Sequence, residues 1–404
     1  MQNHLALDGP MPAFWPPRPS AFWRWLLTPL HRHWLHGTYR VETVADEGLD
    51  RLRALPPEDS ALICPNHSFA GDGSVFSEIS RRSPRPFHIM AAWQIFTMFG
   101  GIAGFVMQRL GCFSVDREGA DRRALRQAID ILTTGRFLAV FPEGENYHLN
   151  DRLTPLREGV AFMAATAQKD LAARGRVWLF PAAIRYRFEK DVTPTLEAAL
   201  SRLQARLAYH PVPGAPLAQR IVAFGEALLT LKEKEVLGQP FEGPLPERIA
   251  RLIERLLGGH EAKWLGKSGE GDSVSVRVKR LRAKLLDLPE EQRGEEAGRV
   301  LSQLHLVMQL YSYPGDYVTA NPTQERMAET LEKFDEDLHG REAQHLAVRR
   351  ARFVLGEPID VKAVLGEGRP RQAAEKLTDL LQAAIETLME NADNRRPQPT
   401  PETP

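Results

Sequence analysis

Asn66-His67-Ser68-Phe69-Ala70-Gly71-Asp72 follows directly on the apolar run Ala61-Leu62-Ile63-Cys64-Pro65. The run reads as a strand, so the polar segment after it falls at a strand end, where open α/β sheets place their ligands. Imidazole takes a proton from a hydroxyl near neutral pH, and a carboxylate on its far nitrogen fixes the tautomer and stabilises the imidazolium. His67 and Asp72 supply that pair of groups. Their spacing does not bring them together on a straight helix, where neighbours lie three or four apart. They need a turn that runs into a helix start. Ser68, Ala70, Gly71 and Gly73 are small enough for a sharp bend that leaves room for a substrate. The chain has twelve histidines, so this stretch alone reads by default as a structural histidine.

Two further blocks change that reading. Arg136-Phe-Leu-Ala-Val-Phe-Pro-Glu-Gly144 is a buried-strand pattern ending in a turn that carries an acid. Between the two lies Gly111-Cys-Phe-Ser-Val-Asp-Arg117, a short β-type run closed by a charge pair. Three strand-then-polar-turn units in roughly eighty residues describe one site assembled from several loops.

With the apolar, proline-containing strand Trp178-Leu-Phe-Pro181-Ala-Ala-Ile184 as a fourth block, the ordered set resembles the PlsC-type glycerolipid acyltransferases. These include lysophosphatidic acid acyltransferase. The resemblance spans roughly residues 60 to 185. It implies an α/β fold, a mostly parallel sheet flanked by helices, to which the residue pattern further on adds a long all-helical insertion before the last strand. His67 would be the general base and Asp72 its orienter. Arg117 would bind the acceptor's phosphate, which a guanidinium matches in pairs of donors. Glu143 and Gly144 would shape the acceptor pocket, and Pro181 would belong to the acyl-donor side. The donor would be a thioester on coenzyme A or acyl carrier protein, with no metal and no other cofactor.

The chain departs from the family pattern at two places. Ser114 stands where the second block usually has its aromatic residue, with Phe113 one place early. Glu145-Asn146-Tyr147 replaces the Thr-Arg-Ser that often follows Phe-Pro-Glu-Gly. The missing arginine would have to be supplied by Arg152 or Arg157. The leading acceptor is then 1-acylglycerol-3-phosphate, with an amino-lipid or another lysolipid as variants.

Lys plus Arg and Asp plus Glu both number 52, so no net field favours nucleic acid. The two cysteines, Cys64 and Cys112, fall inside expected strands and read as reduced, buried thiols of a cytoplasmic protein. The first eight residues lack the basic start and apolar core of a signal peptide. Residues 1–40 read as an interfacial arm: Trp15, Trp23, Trp25 and Trp34 mix with Phe14, Phe22, Arg18, Arg24 and Arg32. That mixture suits the lipid headgroup boundary and is too interrupted to span a bilayer. The expected place is peripheral, on the inner face of the cell membrane. His31, His33 and His36 lack a closing metal ligand. Ala91 to Leu110 reads as a buried helix packed closely through Gly100, Gly101 and Gly104.

Residues 41–190 form the first part of the expected core. From 191 to 345 the pattern is helical: Leu196, Leu200, Leu203 and Leu207 mark one helix, and Ile249 to Leu257 a second ended by Gly258-Gly259. The dense basic run Arg277, Lys279, Arg280, Arg282 and Lys284 reads as a solvated face. The β pattern returns at Ala351-Arg-Phe-Val-Leu-Gly-Glu-Pro-Ile-Asp-Val361, and 346–392 would close a discontinuous core with a strand and a helix. Residues 393–404 read as a disordered tail.

Direct acyl transfer, without a covalent enzyme intermediate, is the expected mechanism, with backbone amides after Gly71 as oxyanion donors. Two readings from other classes stand beside it. One is a hydrolase with Ser68 as nucleophile, although no Gly-x-Ser-x-Gly elbow is present. The other is a non-catalytic lipid- or acyl-carrier-binding protein.

Overall fold

A computed structural model describes residues 13–117, 121–266, 269, 271–289 and 294–394. The expectations for residues 1–12 and for the tail beyond residue 394 lie outside the described residues. The strands are β1 (Val41–Glu47), β2 (Ser60–Pro65), β3 (Phe87–Ala92), β4 (Cys112–Val115), β5 (Phe137–Ala139), β6 (Val177–Arg187), β7 (Arg349–Leu355) and β8 (Ile359–Asp360). They form one sheet in the order β1-β7-β6-β2-β5-β3-β4, with β8 also on β6. From β6 to β4 every pairing is parallel, whereas β7 meets β6 antiparallel and β1 meets β7 parallel. The fold is a mostly parallel α/β sheet flanked by helices.

Alternation along the strands sends side chains to both faces, and both are covered. Leu62, Cys64, Leu138, Leu179 and Ala183 pack with the helices Arg122–Leu132, Gly159–Leu171 and Pro370–Asn394. Ala61, Ile63, Phe137, Phe180 and Phe353 pack on the other side with Phe76 and Ile79 of the helix Asp72–Arg82. Each fully buried leucine, isoleucine or phenylalanine among them stabilises the fold by about 1.5–3 kcal/mol. Pro181 sits inside β6, where a missing N–H would normally break the ladder. Its carbonyl still accepts from Gly356 N at 2.8 Å, so proline forfeits only the return bond, at the break between β7 and β8.

Two strands, β7 and β8, follow the helical segment. The contact pattern separates residues 188–348 from the sheet-bearing unit. Among the described residues this segment holds helices and no strand. Its own cores gather around Leu252, Leu281 and Leu304, and around Leu196, Phe224 and Leu331. Its boundaries lie three residues outside 191–345 on either side, because β6 extends to Arg187 and β7 begins at Arg349.

Three sequence readings are corrected. Gly258 and Gly259 lie inside the helix Leu245–Trp264, whose buried leucines hold it together across both glycines. Arg277 and Arg282 are buried, not solvated. Arg277 Nη2 pairs with Glu261 at 2.9 Å and its Nη1 with Glu254 at 2.5 Å. Ala91–Leu110 is not one helix. It comprises the end of β3, the short helix Trp93–Thr97, a tight turn and the helix Ile102–Leu110. Phe99, Gly100 and Gly101 all take positive φ in that turn, which ends the helix and turns Phe99 and Ile102 (66% exposed) to the surface.

Candidate functional site

Gly71 caps the helix Asp72–Arg82, so Asp72 is its first residue, and the loop His67–Ala70 turns back over it. A Cβ at Gly71 would strike the rings of Phe69 and Tyr39, so that packing requires glycine. The turn closes the five-residue gap. His67 Nδ1 lies 2.8 Å from Asp72 Oδ2, and the same oxygen accepts from Ser68 N at 2.8 Å and Phe69 N at 2.9 Å. Tyr186 Oη donates to Oδ1 at 2.5 Å. An ionised, fully buried carboxylate with four donors is well compensated.

The carboxylate can only accept, so His67 Nδ1 carries the proton and Nε2 keeps a lone pair. The His67 side chain is 13% exposed, and its ring stacks on Phe141 with centroids 4.1 Å apart. This is the geometry of a base held on one side and open on the other.

Glu143, in the turn after β5, braces the same loop. Its Oε1 accepts from His67 N at 2.6 Å; its Oε2 accepts from Thr154 N at 3.0 Å and from the Thr154 hydroxyl. Burial pushes its carboxyl from 4.5 up to about 7, against the pull of those donors. Gly144 has φ +77°, and a Cβ there would collide with the Arg157 guanidinium. Arg157 N bonds to Pro142 O at 2.8 Å. Asn66 fixes the loop from its other end: its Oδ1 accepts from Ile184 N at 2.7 Å and its Nδ2 donates to Ile184 O at 3.1 Å.

The structure therefore joins His67, Asp72, Glu143, Gly144 and Arg157 in one network. Arg152 lies in the loop after β5, its amide on Leu149 O. Arg117 follows β4 by two residues and groups with the helical unit, and Pro181 lies within β6. Ser68 Oγ is buried and, among the described residues, has no hydrogen-bond partner. It is not bonded to His67. The amides of Ser74 and Val75 both donate to Gly71 O, so these two amides after Gly71 are already engaged within the helix. Tyr186, Asn66 and Thr154 went unassigned in the sequence. Asn66 stands next to His67 and carried a local signal; Tyr186 lies 114 positions from Asp72 and carried none. Among the described residues no group of His, Cys, Asp and Glu is arranged to hold a metal ion.

Residues 44–185 match the family model described as Acyltransferase, the domain of the PlsC-type glycerolipid enzymes. The chain carries an acyltransferase domain. The matched span takes in β2 to β5 and β6 as far as Arg185, and with them the His67 network apart from Tyr186. A search of curated proteins finds no match.

On the same sheet-bearing unit, the N-terminal helix Ala21–Leu26 and the helical turn Trp34–Thr38 meet the 98–105 segment of the acyltransferase domain. Trp23 packs edge-on against Phe105 at 5.1 Å and Trp34 against Phe99 at 6.4 Å. Trp15 turns inward toward Phe96, while Phe22, Trp25 (73% exposed), Leu26 and Leu30 stay outside with Phe99 and Ile102. Neither 13–41 nor 87–115 contains an acidic residue. Among the described residues no helix is long and apolar enough to cross a membrane.

Proposed function

We propose that the acyltransferase domain moves a fatty acyl group from an acyl-CoA or acyl-carrier-protein thioester to a hydroxyl of a lysophospholipid, with 1-acylglycerol-3-phosphate the leading acceptor. The observation that carries this reading is the buried, four-donor Asp72 carboxylate holding His67 with Nε2 open. Nε2 takes the acceptor's hydroxyl proton as that oxygen attacks the thioester carbonyl carbon. The tetrahedral intermediate collapses, the C–S bond breaks, and the imidazolium returns the proton to the leaving thiolate. No metal or prosthetic group enters these steps.

The Arg157 guanidinium against Gly144 supports an anionic acceptor, and Arg117 and Arg152 are the further phosphate ligands of this reading. Glu143 holds the base loop, and Pro181 belongs to the acyl-donor side. The acid-free aromatic surface supports peripheral binding to an anionic membrane face on the cytoplasmic side, where such acceptors reside. An amino-lipid or other lysolipid acceptor is the variant favoured by Asn146, which stands in place of the usual arginine. The hydrolase reading loses ground because Ser68 Oγ has no bond to His67.

The test compares purified protein with His67→Ala, using long-chain acyl-CoA and lysophosphatidic acid and following free thiol and lipid products. Thiol release that needs acceptor and vanishes in the variant is the expected result. Release without acceptor would turn the reading to a hydrolase.

A further inference from the structure

Tyr186 is fixed more tightly than a packing residue needs to be. Its backbone N donates to Asn150 Oδ1 at 2.8 Å, and its carbonyl accepts from Asn150 Nδ2 at 3.2 Å. Its ring lies 4.7 Å from that of Phe69, in the base loop. The buried phenol thus has one place to point, and its hydroxyl reaches Asp72 Oδ1 at 2.5 Å. The three N–H donors of the base loop all fall on Oδ2. Among the described residues, Tyr186 alone holds the opposite oxygen.

We propose that Tyr186 is a positioning residue for the base: it fixes the plane of the Asp72 carboxylate toward His67 and draws off part of its charge, setting how strongly His67 takes the acceptor's proton. This rests on the acyl-transfer reading of His67. A carboxylate sharing its charge with a phenol stabilises the neighbouring imidazolium less than a bare one does. Burial, with the Asp72 charge second, holds the phenol well above its ordinary pKa, so it remains a donor. The other ionisable groups facing this cluster are Arg349, whose guanidinium lies 4.4 Å over the Phe69 ring, Tyr39, packed on that ring, and Glu143 beyond His67. All three are retained in a variant that lacks only the hydroxyl.

Tyr186→Phe removes that hydroxyl and keeps the ring. With acyl-CoA and lysophosphatidic acid, kcat should fall roughly tenfold, because the loss of the fixed carboxylate plane outweighs the added charge on Asp72, with KM nearly unchanged. The acid limb of the kcat/KM profile should move to higher pH, because the more concentrated charge on Asp72 keeps the imidazolium protonated longer. Incorporation of 3-fluorotyrosine at position 186, a stronger donor, should move the limb the opposite way, and decides the matter if Tyr186→Phe does not fold. An acid limb that stays in place in both proteins overturns the proposal, as does a loss confined to KM. If wild-type protein releases no thiol, the acyl-transfer reading falls instead. The Nδ1–H proton resonance of His67 then still decides the positioning role, shifting in Tyr186→Phe if the proposal holds and staying put if it does not.

Discussion

Asp72→Asn isolates charge from shape. The amide oxygen can keep the Ser68, Phe69 and His67 donors, and the amide NH₂ can face Tyr186 Oη, which then accepts. What is lost is the attraction between carboxylate and imidazolium as the proton arrives on His67. With Nδ1 and Oδ2 at 2.8 Å, the charge centres lie about 4 Å apart, worth ~4 kcal/mol at an effective dielectric of about 20. That corresponds to a loss of roughly 10³ in kcat. The matching change in a serine-protease triad costs about 10⁴, a larger loss that includes a wrong imidazole tautomer. Thiol release from saturating acyl-CoA, with lysophosphatidic acid varied, measures the loss, and a melting curve checks that the fold is kept. A correctly folded Asp72→Asn protein with kcat within tenfold of wild type would refute the general-base reasoning.

Glu143 holds a proton in the native state to about pH 7 that the unfolded chain releases near 4.5, so its contribution to stability declines as pH rises through that window. The decline is ~3 kcal/mol at most; urea midpoints at pH 5 and 8 should show it in wild type and not in Glu143→Gln, and equal slopes would contradict it. In the helical unit, Arg277→Ala strands the buried Glu261 carboxylate and should destabilise that unit by about 3–5 kcal/mol, whereas Arg277→Met with Glu261→Leu recovers most of this. Urea unfolding measures both, and a single-variant loss under about 1 kcal/mol would count against the pair's burial. Phe22→Ser with Ile102→Ser removes two exposed apolar side chains and should weaken binding to phosphatidylglycerol vesicles by roughly 10²-fold in sedimentation. Unchanged binding would move the lipid contact elsewhere.

The parts of the site that were legible in the sequence are those written within one turn. His67, Asp72, Phe141, Glu143 and Gly144 sit in two short strand-to-loop blocks, and the parallel sheet brings the ends of β2 and β5 together. Tyr186 and Asn150 act across long sequence separations through a few hydrogen bonds that no periodicity records. The same limit explains Arg277: a run of basic residues on a helix reads as solvated until its partner, Glu261 on another helix, is known. Ala91–Leu110 misled for a different reason. Its apolar spacing is compatible with a helix, but Phe99, Gly100 and Gly101 turn left-handed, and hydrophobic periodicity carries no information about the sign of φ.

Strand β1 is at one end of the sheet order, and β7 is its neighbour there. Val41 pairs with Arg349, about three hundred residues later in the chain. At 5–20 residues per second, a ribosome needs about 15–60 s to make that stretch. Throughout that time β1 would be an open edge, adjoining an acid-free segment rich in tryptophan, a combination that invites pairing with the wrong strand. The sheet thus cannot be finished until β7 arrives, and the nascent protein depends on whatever shields β1 and its tryptophan-rich neighbour in the meantime.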